Sequence, residues 1–182
     1  MLTYKHPKAK TCEVCARVFV PDRMGQLVCR PACAMARVRQ AKKADRASIK
    51  ARKEAIKTLA DLKREAQTAM NRWIVQVRDA DKPCISCGRH HQGQWHAGHY
   101  LSRGSAPQHA LNPMNVWKQC APCNTYLHGN LIPYRVRLIE LIGLEAVEAI
   151  ENDNAPRKWT REGLIEVRDT YRAKLKELKG RT

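Results

Sequence analysis

Apolar residues recur at three- and four-residue intervals through Leu59, Leu62, Ala66, Ala69, Trp73 and Val77, the spacing of one face of an α-helix. This stripe lies in residues 34–79, which hold no Pro or Gly and are dominated by the strong helix formers Ala, Arg, Lys, Glu and Leu. A continuous helix there would be a rod of roughly 70 Å, although the pattern also permits a break. The stripe calls for a partner helix, whereas the first half offers only Ala, Val38 and Ile49 for burial. A second amphipathic pattern spans residues 134–151, with Gly143 marking a break. After a linker at residues 152–156, Thr160 is placed to cap a last helix reaching about Leu178. Its apolar positions are Leu164, Ile165, Val167, Tyr171, Leu175 and Leu178. These carboxy-terminal helices are expected to pack on each other or on the Trp73 stripe.

A different period appears between them. Residues 94–101 alternate polar and apolar and read as a short strand, on which His96 and Gly98 face one way and His99 the other. Residues 119–128 read as a tight cysteine turn running into a helix, which would put Asn124 and His128 on one face, able to converge on a single ion. The predicted class is α+β, mainly α.

Composition narrows the architecture. One Phe and 5% aromatics among 182 residues argue against a single large core, and eight cysteines in two groups of four suggest two small metal-stapled modules. The expected division is a four-cysteine zinc finger at 1–33, a long basic helix at 34–80, a second metal-stapled module at 81–131 and a helical region at 132–182. No window approaches the roughly 18 apolar residues of a membrane span, and the amino-terminal residues lack an apolar leader core. A reducing cytosol is therefore expected, where paired Cys-x-x-Cys motifs favour metal over disulfide.

The formal net charge of +17 makes a polyanion the expected partner. The charge is uneven: residues 34–72 carry twelve basic and four acidic groups. Arg37, Arg39, Lys42, Lys43, Arg46, Lys50, Arg52 and Lys53 fit an arm that tracks a DNA backbone and releases its counterions, although a merely solvated helix has the same composition.

Cys12-x-x-Cys15 and Cys29-x3-Cys33, separated by a turn with Pro21 and Gly25, have zinc-finger spacing. Pro31 suits the first turn of a following helix. The basic neighbours Lys5, Lys8, Lys10, Arg17 and Arg30 permit phosphate contacts, but such fingers also serve only to brace their surroundings. Cys84-x-x-Cys87 and Cys120-x-x-Cys123, 32 residues apart, can close a second structural Zn²⁺ site. Caught between and after them are His96, His99, Asn115, Asn124 and His128, a set without thiols that suits a harder catalytic divalent ion.

A Cys-x-x-Cys, a strand His, an Asn shortly before the second Cys-x-x-Cys and Asn-x3-His after it resemble the HNH, or ββα-metal, nucleases. The runs from Ala97 to Arg103 and from Gln119 to Asn124, with Gly129-Asn130 and Tyr134-Arg135, more narrowly resemble the NinG (Rap) recombination proteins of lambdoid phages, and the finger and basic helix are similar to that family too. The Cys-x-x-Cys-Asn ending also resembles a phage junction resolvase, endonuclease VII. The resemblance implies a DNA endonuclease acting on branched recombination intermediates in the host cytoplasm. In it His99 would be the general base, and Asn124, His128 and His96 would hold Mg²⁺ or Mn²⁺. Asn115 would fix the loop that aims His99, and Arg103 and Lys118 would clamp phosphate oxygens. One departure stands out: many such enzymes carry an acidic or histidine ligand just before the base, where this chain has Gly98, and His96 is the expected substitute. Junction resolution needs two cuts, and the apolar stripe offers an interface for a homodimer. The rival reading is a non-catalytic zinc-binding protein that binds DNA or mediates recombination.

Overall fold

Between Ala55 and Leu59 the backbone leaves a helix and enters a new one. The computed structural model describes residues 8–179, with side chains to Glu177; Lys5, the other amino-terminal residues and the Leu178 side chain lie outside that range. The chain divides at this helix break into two units, Met1–Lys57 and Thr58–Thr182. The continuous rod is thus corrected to two helices, α1 (Pro31–Ala55) and α2 (Leu59–Trp73). The cause is a reciprocal cap: the Asp61 N–H donates to Thr58 Oγ1 and the Thr58 N–H to Asp61 Oδ2, both at 3.1 Å. Two otherwise orphaned donors are satisfied where α2 begins, so a fresh start there offsets the lost helical bonds.

In the first unit a short hairpin, β1 (Lys10–Thr11) with β2 (Val18–Phe19), precedes α1. Pro31 opens α1, and Cys33, in its first turn, is the helix's one buried residue. Arg37 is tied back to Glu13 at 2.9 Å. From Arg37 to Lys53 every side chain is exposed, so α1 has no apolar seam of its own there.

In the second unit, α2 finds its partner within the same chain. Leu62, Ala66, Ala69 and Met70 pack with Leu164 and Tyr171 of α5 (Arg161–Lys179). The Trp73 and Tyr171 rings meet at 5.1 Å. The stripe on which a homodimer was expected is therefore covered by α5, apart from Leu59, which is 52% exposed.

Strands β3 (Trp95–His99) and β4 (Val116–Cys120) form an antiparallel pair, with Gly98 opposite Trp117 and His99 opposite Val116. All five β4 residues are buried. One side is closed by α2. The other rests on Tyr134 and Leu138 of α3 (Leu131–Ile142) and Val147 of α4 (Leu144–Asn152), which cluster with Tyr100 and Trp117. Gly143, at φ 85°, separates α3 from α4 as expected. A wide helical turn, Ile74–Arg78, extends α2 toward the hairpin. From it Arg78 donates to the carbonyls of Pro113 and Val116, each at 2.7 Å, and stacks on Trp117. No helix among the described residues is long and apolar enough to cross a membrane.

Candidate functional site

The second cysteine group sets the frame. The sulfurs of Cys84, Cys87, Cys120 and Cys123 all lie within 4.8 Å of one another, and none of these cysteines is in a disulfide. The Cys120 N–H points at Cys84 Sγ (3.4 Å), and Asn130 Nδ2 at Cys123 Sγ (3.6 Å). Burial pushes the Cys120 thiol up to about 12. Four sulfurs this close cannot all be thiolates unless a cation neutralises them, and the donor set fits a tetrahedral zinc. Cys12, Cys15, Cys29 and Cys33 form an equivalent cluster in the first unit, with the Cys29 N–H directed at Cys12 Sγ (3.4 Å). Each cluster can hold a zinc ion.

From Cys120 the chain enters a helical turn, Pro122–Tyr126, that carries Asn124. The expected helix through His128 is corrected here. The helical turn ends at Tyr126, and His128, Gly129 and Asn130 follow at φ 49°, 93° and 45°. This left-handed run is closed by the Gly129 N–H on the Cys123 carbonyl (2.9 Å). Gln119 Nε2 and Ser86 Oγ both donate to the Gly129 carbonyl. His128 therefore reaches its place from a tight turn, not from a helix face shared with Asn124.

His99 ends β3. Its Nε2 lies 3.2 Å from the Ala110 carbonyl, which can only accept, so the proton sits on Nε2 and Nδ1 keeps its lone pair. Burial pushes the His99 pKa below the ordinary histidine value. The Arg103 charge acts in the same sense, against the Ala110 and Ala97 carbonyls. Asn115 is fully buried and closes the loop that brings Ala110 to His99: Oδ1 accepts from the Leu101 N–H (2.8 Å), and Nδ2 donates to the Leu101 (3.0 Å) and His109 (3.3 Å) carbonyls. The adjoining Tyr100 is held from behind, its hydroxyl donating to Glu151, which also pairs with Arg135.

An open cleft of ≈ 440 Å³ joins these parts; it is lined by Asn71, His99, Ser102, Arg103, Asn124 and His128, with no carboxylate. His96 is not on its wall. Asn124 Nδ2 donates to His96 Nδ1 (2.9 Å), so His96 orients Asn124 from outside. Among the described residues, the two four-cysteine groups are the only places where three or more His, Cys, Asp or Glu ligand atoms converge. The imidazoles of His96, His99 and His128 form no such cluster.

Lys118 departs from expectation, and the structure explains Gly98. Lys118 is 6% exposed; its ammonium donates to the Ala80 carbonyl (2.6 Å) and lies over Trp95, and it does not line the cleft. Gly98 is glycine for a local reason: a Cβ there would lie 2.1 Å from Gln119 Oε1. A ligand side chain just before His99 would thus require Gln119, which spans the hairpin to pin the Gly129 turn, to shift. Arg39, Lys42, Lys43, Arg46, Lys50, Arg52 and Lys53 are all exposed on α1 in the first unit. Sequence reasoning missed Asn71, Gln119 and the Tyr100–Glu151–Arg135 group. Asn71 carried a signal of its own, a polar side chain on the helix face opposite the apolar stripe, whereas Tyr100, Gln119 and Arg135 stood only within the runs that carry the resemblance.

Residues 4–181 match the family model described as Bacteriophage Lambda NinG protein. Protein ninG of Salmonella phage P22 is 38% identical, over 92% of this chain and 91% of that one. Protein ninG of Escherichia phage lambda is 37% identical, and that of Escherichia phage 933W 36%, each over 95% of both chains. No solved structure matches.

Proposed function

This chain belongs to the NinG family of lambdoid phage proteins, and from that premise we propose that it is a metal-dependent, HNH-type DNA endonuclease acting on branched recombination intermediates in the host cytoplasm. The observation that carries the reading is His99, held by its Nε2 proton on Ala110 and lining a cleft shared with Asn124, His128 and Arg103. A neutral imidazole with a fixed tautomer is a competent base for the attacking water. Asn115 acts as a positioning residue, since it ties the loop that carries Ala110. Arg103 meets the phosphate oxygens.

Asn124 and His128 would hold a Mg²⁺ or Mn²⁺ ion, whose charge stabilises the phosphate and the leaving 3′ oxygen when bound. Neutral ligands hold such an ion weakly, which suits an ion that arrives with the DNA phosphate as a further ligand. The two cysteine clusters are structural zinc sites, and the exposed cations of α1 contact the DNA backbone.

One observation favours the rival reading of a non-catalytic zinc-binding DNA-binding or mediator protein: the cleft brings no preassembled carboxylate or imidazole cluster to an ion. The deciding experiment is cleavage of end-labelled four-way junction, 5′ flap, single-stranded and duplex DNA with Mg²⁺, Mn²⁺ or chelator. Metal-dependent cutting of branched DNA that His99→Ala abolishes without loss of binding establishes the nuclease. Tight binding with no cutting of any substrate establishes the rival.

A further inference from the structure

The His99 cleft does not end at Asn71. A second cleft, ≈ 580 Å³, opens from the same three residues, Asn71, Arg103 and Gly104, and continues along α2 past Gln67 to Lys63 and Arg64. Lys63, Gln67 and Asn71 are spaced by four, so they line one face of the helix. From Lys63 to Asn71 that face runs about 12 Å at the helical rise, which is the axial span of roughly three to four nucleotides of one DNA strand.

Three features make this face a track for phosphates. No carboxylate lines either cleft. The nearby acidic groups are turned elsewhere: Glu65 pairs with Arg168 and Arg172 of α5, and Asp61 is drawn into the cap and to Arg64. Gln67 is 7% exposed and donates to Asn71 Oδ1 (2.8 Å), which sets the Asn71 amide at the junction of the two clefts.

We propose that this face of α2 seats the sugar-phosphate backbone of one DNA strand beside the scissile bond, with Arg103 and Asn71 at the crossing and Lys63 about two helical turns away. This rests on the endonuclease reading for the His99 end of the path. The contacts are to backbone and carry no base sequence, so they suit a substrate recognised by its structure.

The test is binding of fluorescein-labelled four-way junction DNA in chelator, followed by anisotropy over a salt series, so that no cleavage intervenes. Lys63→Gln removes one cation, and Asn71→Asp keeps the acceptor that Gln67 needs while placing a carboxylate on the path. Lys176→Gln makes the same charge change at an exposed α5 position off the path. The expected result is a five- to tenfold loss of affinity for each α2 variant, with the salt slope reduced by about 1 for Lys63→Gln, and parent-like binding for Lys176→Gln. Parent-like binding by both α2 variants, or an equal loss in Lys176→Gln, overturns the track. If instead the α2 variants lose affinity but the parent cuts nothing with Mg²⁺ or Mn²⁺, the nuclease reading fails and the track stands as a binding surface.

Discussion

His99 Nε2 donates to the Ala110 carbonyl across 3.2 Å, so the neutral imidazole carries its proton on Nε2 and leaves Nδ1 able to accept one. Burial, with the nearby Arg103 charge, holds the His99 pKa below the ordinary histidine value. His99 is therefore neutral at and somewhat below the pH where an ordinary histidine is half charged. Cleavage under kcat/KM conditions should fall on an acid limb that lies below that of an ordinary histidine. Arg103→Gln should move that limb toward neutral pH by removing a repelling charge. An acid limb centred above pH 6.5 in the parent would count against His99 as the base.

The Gly98 position should be intolerant in a specific way. Gly98→Ala puts a methyl 2.1 Å from Gln119 Oε1 and should cost about 1–3 kcal/mol in urea unfolding. Because Gln119→Ala removes the obstructing amide, the double variant should lose less than the sum of the two single ones. Strict additivity would show that the two side chains do not compete for the same space.

Leu62 sits at zero exposure beneath α5, and Leu62→Ala should destabilise by about 2–5 kcal/mol. Thr58→Ala removes the cap and should cost about 1 kcal/mol. Thermal or urea melts ranking Thr58→Ala as the more damaging would contradict the packing described.

Metal analysis of the purified chain should give two zinc ions. Cys84→Ser should lower the count and collapse the hairpin, because the site joins the two ends of residues 84–123. Cys12→Ser should lower the count equally, since its four sulfurs form a separate cluster. A single zinc in the parent would refute one of the two sites.

What the sequence made legible was whatever depends on spacing alone. The cysteine pairs, the strand at Trp95–His99, the break at Gly143 and the helical stripe from Leu62 to Trp73 all follow from local periodicity or local backbone freedom. The break before Thr58 was also written locally, as Thr58-Leu59-Ala60-Asp61, but helix formers on both sides mask a capping signal of only two side chains. The fates of Lys118, His96 and His128 were not legible. Each depends on a contact set by the hairpin register or by the left-handed turn at residues 128–130: a carbonyl at Ala80, an amide at Asn124, a carbonyl at Cys123. The partner of the apolar stripe was equally hidden, because periodicity says that a face is buried without saying whether the cover comes from the same chain.

The contest between Gly98 and Gln119 also constrains how relatives of this chain can diverge. A lineage that acquires an acidic or histidine side chain in front of the base has to move or lose the amide that fastens the turn bearing His128. Positions 98 and 119 are thus expected to covary, and a relative with glycine at 119 is where an added metal ligand at 98 should be sought.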